Sequence, residues 1–114
     1  MRTLLAILVL SYASVAAAAT HYGHGQPITI SVGSDGTVNV IFDPTTQVTG
    51  APPACTGYTS GGLTMAFDSR TDAGKSLLAT FLTAHASGIP VWYFGSGDCA
   101  AYGNKESLTQ VSVN

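Results

Sequence analysis

The 114-residue sequence predicts a mainly β fold with one helix, in the order strand, strand, strand, helix, strand, strand. Two observations carry this prediction. Four short runs alternate apolar and polar residues, which is typical of half-buried strands, and a fifth run is apolar on both sides. A single stretch, residues 69–90, instead has helical spacing with both start and stop signals. The length is that of one small domain.

Residues 1–19 are expected to be a secretory signal rather than part of the fold. Met1 and Arg2 precede the run LLAILVLSYASVA, which is too short to span a bilayer, and small residues follow where cleavage is expected. A retained membrane anchor is the alternative, but no basic stop-transfer cluster follows the run. Cleavage after Ala19 would leave residues 20–114 as a single secreted or periplasmic domain with no membrane span. Such a small core would benefit from a covalent link or a subunit interface.

The charge of the chain argues against nucleic acid as a partner. The sequence has four Lys and Arg residues against six Asp and Glu, and Arg2 leaves with the signal. The remaining cations are scattered, whereas binding to phosphates needs clustered cations that displace counterions. No nucleic-acid partner is therefore expected.

Cys55 and Cys99 are the two cysteines, and both lie in the part that would reach an oxidising compartment. A disulfide between them is therefore predicted. In the chain-entropy model, closing a loop of this length stabilises a fold by up to about 4 kcal/mol. A metal site is the alternative, but two cysteines without histidines at zinc-ligand spacing are a poor donor set. No metal and no cofactor are expected.

The chain after the signal begins with the polar segment THYGHG, residues 20–25, which is expected to be a frayed arm. Its histidines offer an alternative, since a histidine near a free amine can bind copper. The first strand follows in residues 27–32, where Ile28, Ile30 and Val32 alternate with Thr and Ser. A Gly-Ser-Asp-Gly turn then leads into the second strand, TVNVIF, and predicts a hairpin.

Residues 43–62 form a long connection rich in Pro, Thr and Gly, which Cys55 is expected to anchor. Tyr58 in this connection is either a packing lid over the core or an exposed contact residue. The third strand is predicted at residues 63–67, where Leu, Met and Phe alternate with Thr and Ala.

The helix is predicted to begin at Ser69 as N-cap, with Asp72 completing a capping box, and to stop at Gly88 before Pro90. His85, near its C-terminus, is expected to be partly buried or held by the helix dipole. Four apolar residues recur at helical spacing and should face the sheet. They are Leu77, Leu78, Phe81 and Leu82.

The fourth strand, IPVWYF, is apolar on both sides, and both sides are therefore expected to be covered. Ile89, Val91 and Tyr93 point to one side, while Trp92 and Phe94 point to the other, towards the helix or a neighbouring subunit. A loop rich in small residues, GSGDCAAYGN, connects this strand to the fifth, which begins at Leu108.

No enzymatic activity is expected. The segment SRTDAGKS imitates a phosphate-binding loop, but Ser69 stands where its first glycine belongs, and so small a domain cannot hold a nucleotide-hydrolysing fold. A hydrolytic triad needs a nucleophile, a base and an orienting acid, and both cysteines are committed to the disulfide. Paired carboxylates, such as Asp98 with Asp43 or Asp68, would make a small hydrolase, but no spacing supports them.

The order of the elements favours an OB-fold, a five-stranded and partly open barrel whose loops bind oligomeric ligands. An OB-like barrel with the sequence order β-β-β-α-β-β is therefore the predicted architecture. The alternative is an unrelated α+β roll with the same order of elements.

The run from Thr71 to Gly103 resembles a pattern found in short secreted bacterial proteins. The pattern is an A-G-K helix start, Leu and Ala along the helix, S-G-x-P-V into a strand, then Gly and Cys before an aromatic–glycine pair. It is similar to the binding (B) subunits of AB-type toxins, of the subtilase cytotoxin type. The resemblance covers about a third of the chain. It implies an OB-fold, a homo-pentamer whose helices line a pore, and binding to cell-surface glycans, but it carries over no glycan-binding residue.

The predicted function is that of a secreted, non-enzymatic binding module for a cell-surface glycan or a protein ligand. The alternative is a small periplasmic interaction or inhibitor domain that acts as a monomer. Aromatic rings stack on sugar C–H groups, and carboxylates and amides bond to sugar hydroxyls. The candidate ligand-binding residues therefore lie in the loop after the fourth strand and in the connection that the disulfide ties to it. They are Tyr58, Asp98, Tyr102 and Asn104.

Overall fold

The computed structural model describes residues 21–56 and 63–113. The prediction of a mainly β chain with one helix is confirmed. The elements are β1 (Tyr22–Gly25), β2 (Pro27–Val32), β3 (Thr37–Phe42), β4 (Gln47–Thr49), β5 (Thr64–Asp68), α1 (Asp72–Ser87), β6 (Val91–Gly95) and β7 (Glu106–Val113). The predicted signal, residues 1–19, lies outside the described residues. Within those residues, no helix combines the length and apolar character that crossing a bilayer requires.

The strands of the described residues form one sheet in the order β2-β3-β5-β7-β6-β1-β4. Neighbouring strands are antiparallel except β5 and β7, which are parallel. The prediction of five strands is therefore wrong, because this part of the chain contains seven. The additional strands, β1 and β4, form from segments that were expected to be an arm and a loop.

β1 corrects the prediction of a frayed arm at the start of the domain. It pairs with β6 on one side and with β4 on the other. Gly23 and Gly25 are buried, and a side chain at these positions would collide with Tyr93 and Thr46 respectively. The arm becomes a strand because these glycines let its backbone approach the core closely.

β2 and β3 form the predicted hairpin, and Gly36 in its turn has the positive φ of 86° that favours glycine. Alternate residues of β3 are buried, as expected for a strand with one inner face. On β2, Pro27 is buried and Ile30 packs against the core, whereas Ile28 and Val32 are 41% and 57% exposed. The alternation predicted for this strand therefore does not give one buried side, because a register shift near its start interrupts it and because β2 lies at the edge of the sheet.

The N-cap of α1 is Thr71 rather than the predicted Ser69. The Thr71 Oγ1 atom accepts a hydrogen bond from the Gly74 amide at 2.9 Å. Ser69 instead donates its hydroxyl to the carbonyl of Gly36 at 2.7 Å, which ties the helix start to the hairpin turn. The predicted end is confirmed, because Gly88 is left-handed and its amide bonds to the last helical turn.

Phe81 lies at the centre of the core. It is fully buried, and its ring centroid is 5.9 Å from those of both Phe42 and Phe67. Two leucines of the predicted stripe pack at the margin of this cluster. Leu82, in contrast, is 49% exposed. The buried side of the helix runs through Phe81 and Ala84, and Leu82 lies off this line. The apolar stripe is therefore narrower than predicted.

Cys55 and Cys99 form the predicted disulfide. It joins the connection that follows β4 to the loop between β6 and β7, across a sequence separation of 44. The described residues contain no free cysteine. The bond therefore holds together two segments that have little regular structure of their own.

Candidate ligand-binding surface

The outer side of β1 and β6 carries four half-buried aromatic rings. The ring centroids of His24 and Trp92 are 4.4 Å apart, and those of Tyr22 and Phe94 are 5.8 Å apart. Tyr22 also lies 6.4 Å from Trp92, so the rings form one continuous cluster. We call these four residues the aromatic face: Tyr22, His24, Trp92 and Phe94.

Polar residues border the aromatic face on both sides. In an antiparallel sheet, residues directly paired on neighbouring strands point to the same side. The pairing of β4, β1, β6 and β7 therefore gives two rows, which read Gln47, His24, Trp92, Ser112 and Thr49, Tyr22, Phe94, Gln110. Each row has a pair of rings at its centre and an amide or hydroxyl group at each end.

The two central strands form this face because both alternate outward rings with inward small or core residues. The prediction that Trp92 and Phe94 share one side of their strand is confirmed. The rings that pack against them come from β1. Tyr22 and His24 are not predicted from the sequence, because the two glycines of YGHG interrupt the alternation of apolar and polar residues that indicates a strand. The signal that identifies them is the presence of aromatic residues at alternate positions in both YGHG and VWYFG.

A buried polar pair holds β1 in the sheet. The Nδ1 atom of His21 lies 2.6 Å from Oε1 of Glu106, and the two side chains are 0% and 1% exposed. The other carboxylate oxygen accepts a hydrogen bond from the Gly97 amide at 3.2 Å. Gly95 leaves room for this carboxylate, since a Cβ there would collide with it. The pair thus links the residue before β1 to the first residue of β7.

Tyr93 lies close to this pair. Burial of the Tyr93 side chain, together with the charge of Glu106, raises the pKa of Tyr93, because both disfavour the phenolate. The Nε2 atom of His21 is buried and has no hydrogen-bond partner among the described residues. Because neither side chain of the pair is exposed, we interpret it as structural support for β1 rather than as a catalytic site.

The three histidines of the sequence lie in different surroundings. His21 points inward to Glu106, whereas His24 points outward against Trp92. His85 lies on the helix, where its Nδ1 atom is 3.0 Å from the carbonyl oxygen of Pro27. Over residues 21–56 and 63–113, no three His, Cys, Asp or Glu residues come close enough to hold a metal ion.

Three of the four candidate residues predicted from sequence lie in the loop between β6 and β7. Tyr102 is 42% exposed, Asp98 is exposed and Asn104 is half-buried. The disulfide at Cys99 fixes this loop. Tyr58 lies outside the described residues, so its role stays a prediction.

Asp98 is already bonded within this loop, whereas the buried Oδ1 atom of Asn104 has no hydrogen-bond partner among the described residues. The carboxylate of Asp98 accepts hydrogen bonds from the Ser96 hydroxyl at 2.9 Å and from the Ala100 amide at 3.2 Å. These bonds hold the pKa of Asp98 below its usual value, because they favour the ionised form. The Nζ atom of Lys105 lies 4.5 Å from the centre of the Tyr102 ring. A ligand at Asp98 or Tyr102 would therefore compete with contacts that these side chains already make.

No protein-family model, curated protein or solved structure matches this chain. The choice between the two surfaces therefore depends on their geometry. The aromatic face brings four rings from two strands together between uncharged polar side chains. The loop presents one exposed ring among the described residues, and Lys105 already contacts it. The aromatic face is the stronger candidate for a ligand.

Proposed function

We propose that this protein is a non-enzymatic glycan-binding module whose ligand lies on the aromatic face. The observation that carries the proposal is the cluster of four rings bordered by Gln47, Thr49, Gln110 and Ser112. A sugar ring has apolar C–H patches that pack on aromatic rings, and its hydroxyls need hydrogen-bond partners of the amide and hydroxyl type. Binding sites for small ligands commonly combine mostly apolar or aromatic contacts with a few polar groups in this way.

The fold that we propose for this module is an OB-like barrel. Without β1 and β4, the strand order is β2-β3-β5-β7-β6, with β5 and β7 parallel and the helix following β5. Only Gln26 separates β1 from β2, yet β1 pairs with β6 and β2 pairs with β3. These two segments are consistent with one bent strand that connects the two ends of a partly open barrel.

Export of the domain is part of the same proposal. Cleavage after Ala19 would leave a secreted or periplasmic domain of residues 20–114, where the Cys55–Cys99 bond suits an oxidising compartment. Cleavage at this point would also leave His21 near the new N-terminus, next to the strand that it anchors. The homo-pentamer that the toxin resemblance implies is a separate proposal, which native mass spectrometry of the processed protein would test.

A protein ligand is the second candidate function, and one observation favours it. An apolar groove of about 430 Å³ lies beside the hairpin and is lined by residues that include Ile28, Ile41 and Leu63. Ile28 and Ile41 are 41% and 38% exposed. This surface would suit an inhibitor or interaction domain that acts as a monomer.

A glycan array tests the proposed function. We expect the wild-type protein to bind at least one glycan, and Trp92→Ala to weaken that binding by about tenfold or more, because a stacking contact is lost. Tyr102→Ala and Asp98→Ala serve as the comparison, since they change the loop site and leave the aromatic face unchanged. Each variant must first have an intact disulfide and a wild-type circular dichroism spectrum.

Three outcomes of this array would count against the aromatic face. If the loop variants lose binding and Trp92→Ala retains it, the glycan site is the loop. If all three variants bind like the wild type, the site is on another surface. If the wild type binds no glycan, the protein-ligand function takes its place.

A further inference from the structure

The two sides of the Trp92 ring have different neighbours. His24 stacks against the ring with 4.4 Å between centroids and 30° between planes, so one indole side is covered by β1. On the β7 side the paired residue is Ser112. A serine side chain is too small to cover an indole. The register therefore places only a small hydroxyl side chain beside Trp92 on this side, with Gln110 two residues away along β7. We call this position, between Trp92 and Ser112, the slot.

The charges of the domain are committed to places other than this slot. None of the eight residues in the two rows is Lys, Arg, Asp or Glu. Each cation in the described part of the chain has a partner elsewhere. Arg70 bonds to Asp68, Lys75 lies 4.0 Å from Asp72, and Lys105 lies over the Tyr102 ring.

From these two observations we propose that the module recognises an uncharged glycan, whose sugar ring stacks on Trp92 in the slot above Ser112. This inference rests on the proposed function and names the substrate class for the same face. The acidic group of a sialylated or sulfated sugar would lose water at this face without gaining a cation as partner, which is unfavourable. The hydroxyls of a neutral sugar need only amide and hydroxyl partners, and Gln110 and Ser112 supply both.

The size of the face also favours a sugar over a second protein molecule. Four strands and two rows span about 14 Å by about 7 Å, given the usual strand spacing and rise. A patch of these dimensions is much smaller than the contact region of a stable protein interface, which buries roughly 800 Å² per partner. It is close to the footprint of one or two sugar rings.

The first test compares matched glycans on an array at pH 8.0, a condition chosen because ordinary imidazoles are then mostly neutral. Each pair consists of a neutral glycan with terminal galactose, glucose or N-acetylglucosamine and the same glycan with a sialic acid or sulfate cap. We expect binding to the neutral member and at least about tenfold weaker binding to the capped member. Binding to capped members alone would overturn the inference and leave the proposed function intact. Binding to no glycan would overturn both.

The second test fills the slot. Ser112→Leu would place a larger apolar side chain against Trp92 and should weaken binding of the neutral glycan by about tenfold or more. Ser31→Leu is the matched control, because Ser31 is an exposed strand residue on β2, outside the face. It should change the affinity by less than about twofold.

Far-UV circular dichroism and the melting temperature establish whether Ser112→Leu folds. If it folds and binds the neutral glycan like the wild type, the slot is not the binding site and the inference fails. If it does not fold, Gln110→Ala decides the question, since a glycan in the slot should lose several-fold in affinity when the amide is removed. Unchanged binding by folded Gln110→Ala would then overturn the inference.

Discussion

Replacing Glu106 by Ala is expected to lower the free energy of unfolding by about 3–5 kcal/mol. The change leaves His21 buried with neither ring nitrogen bonded and removes the acceptor of the Gly97 amide. Breaking one side of a buried polar pair costs this much because the remaining group is desolvated without compensation. A domain of this size has only about 5–15 kcal/mol of total stability. Urea denaturation, followed by circular dichroism, measures the loss.

The double variant His21→Leu, Glu106→Leu is the control for this prediction. It removes both polar groups, so it should recover much of the stability that Glu106→Ala loses. A loss below about 1 kcal/mol for Glu106→Ala would show that the pair does not hold β1 in the sheet. The strand that carries Tyr22 and His24 of the aromatic face would then be held less firmly than the structure indicates.

Replacing Phe81 by Ala is expected to cost about 3–5 kcal/mol, because it leaves a cavity among Phe42, Phe67 and the sheet. Leu82→Ala is the matched control on the same helix. Leu82 is 49% exposed, and its truncation should cost less than about 1 kcal/mol. Both losses can be measured by urea denaturation under identical conditions.

Equal losses for the two helix variants would contradict the orientation of α1 described above. A small loss at Phe81 with a large one at Leu82 would mean that the helix is rotated about its axis. The two measurements together therefore test the packing of the helix against the sheet, and not only the presence of a helix.

The elements that the sequence predicts well are those whose signals are local. The hairpin follows from its glycine turn and flanking alternation, and the helix end follows from Gly88. The start of the helix is less well predicted, because Ser69 and Thr71 are both good capping residues. Their roles depend on the carbonyl of Gly36, which is distant in sequence and accepts the Ser69 hydroxyl.

The candidate site is harder to predict because its residues come from distant strands. Trp92 and Phe94 are recognisable as a pair on one side of their strand. The rings that pack against them come from β1, which pairs with β6. The residue before β1, His21, contacts Glu106, 85 residues away in the sequence. No local pattern contains this information. A buried histidine at the start of a polar segment looks the same in sequence as a frayed arm.

The most direct test of the central claim uses the fluorescence of Trp92, which is the only tryptophan in the chain. The processed protein is titrated with the neutral glycan that the array identifies, and the affinity is measured in parallel by calorimetry. A ligand on the aromatic face should shift the tryptophan emission and protect it from acrylamide quenching, with the same dissociation constant as calorimetry gives. A glycan that binds by calorimetry while the emission and quenching of Trp92 stay unchanged would contradict the claim.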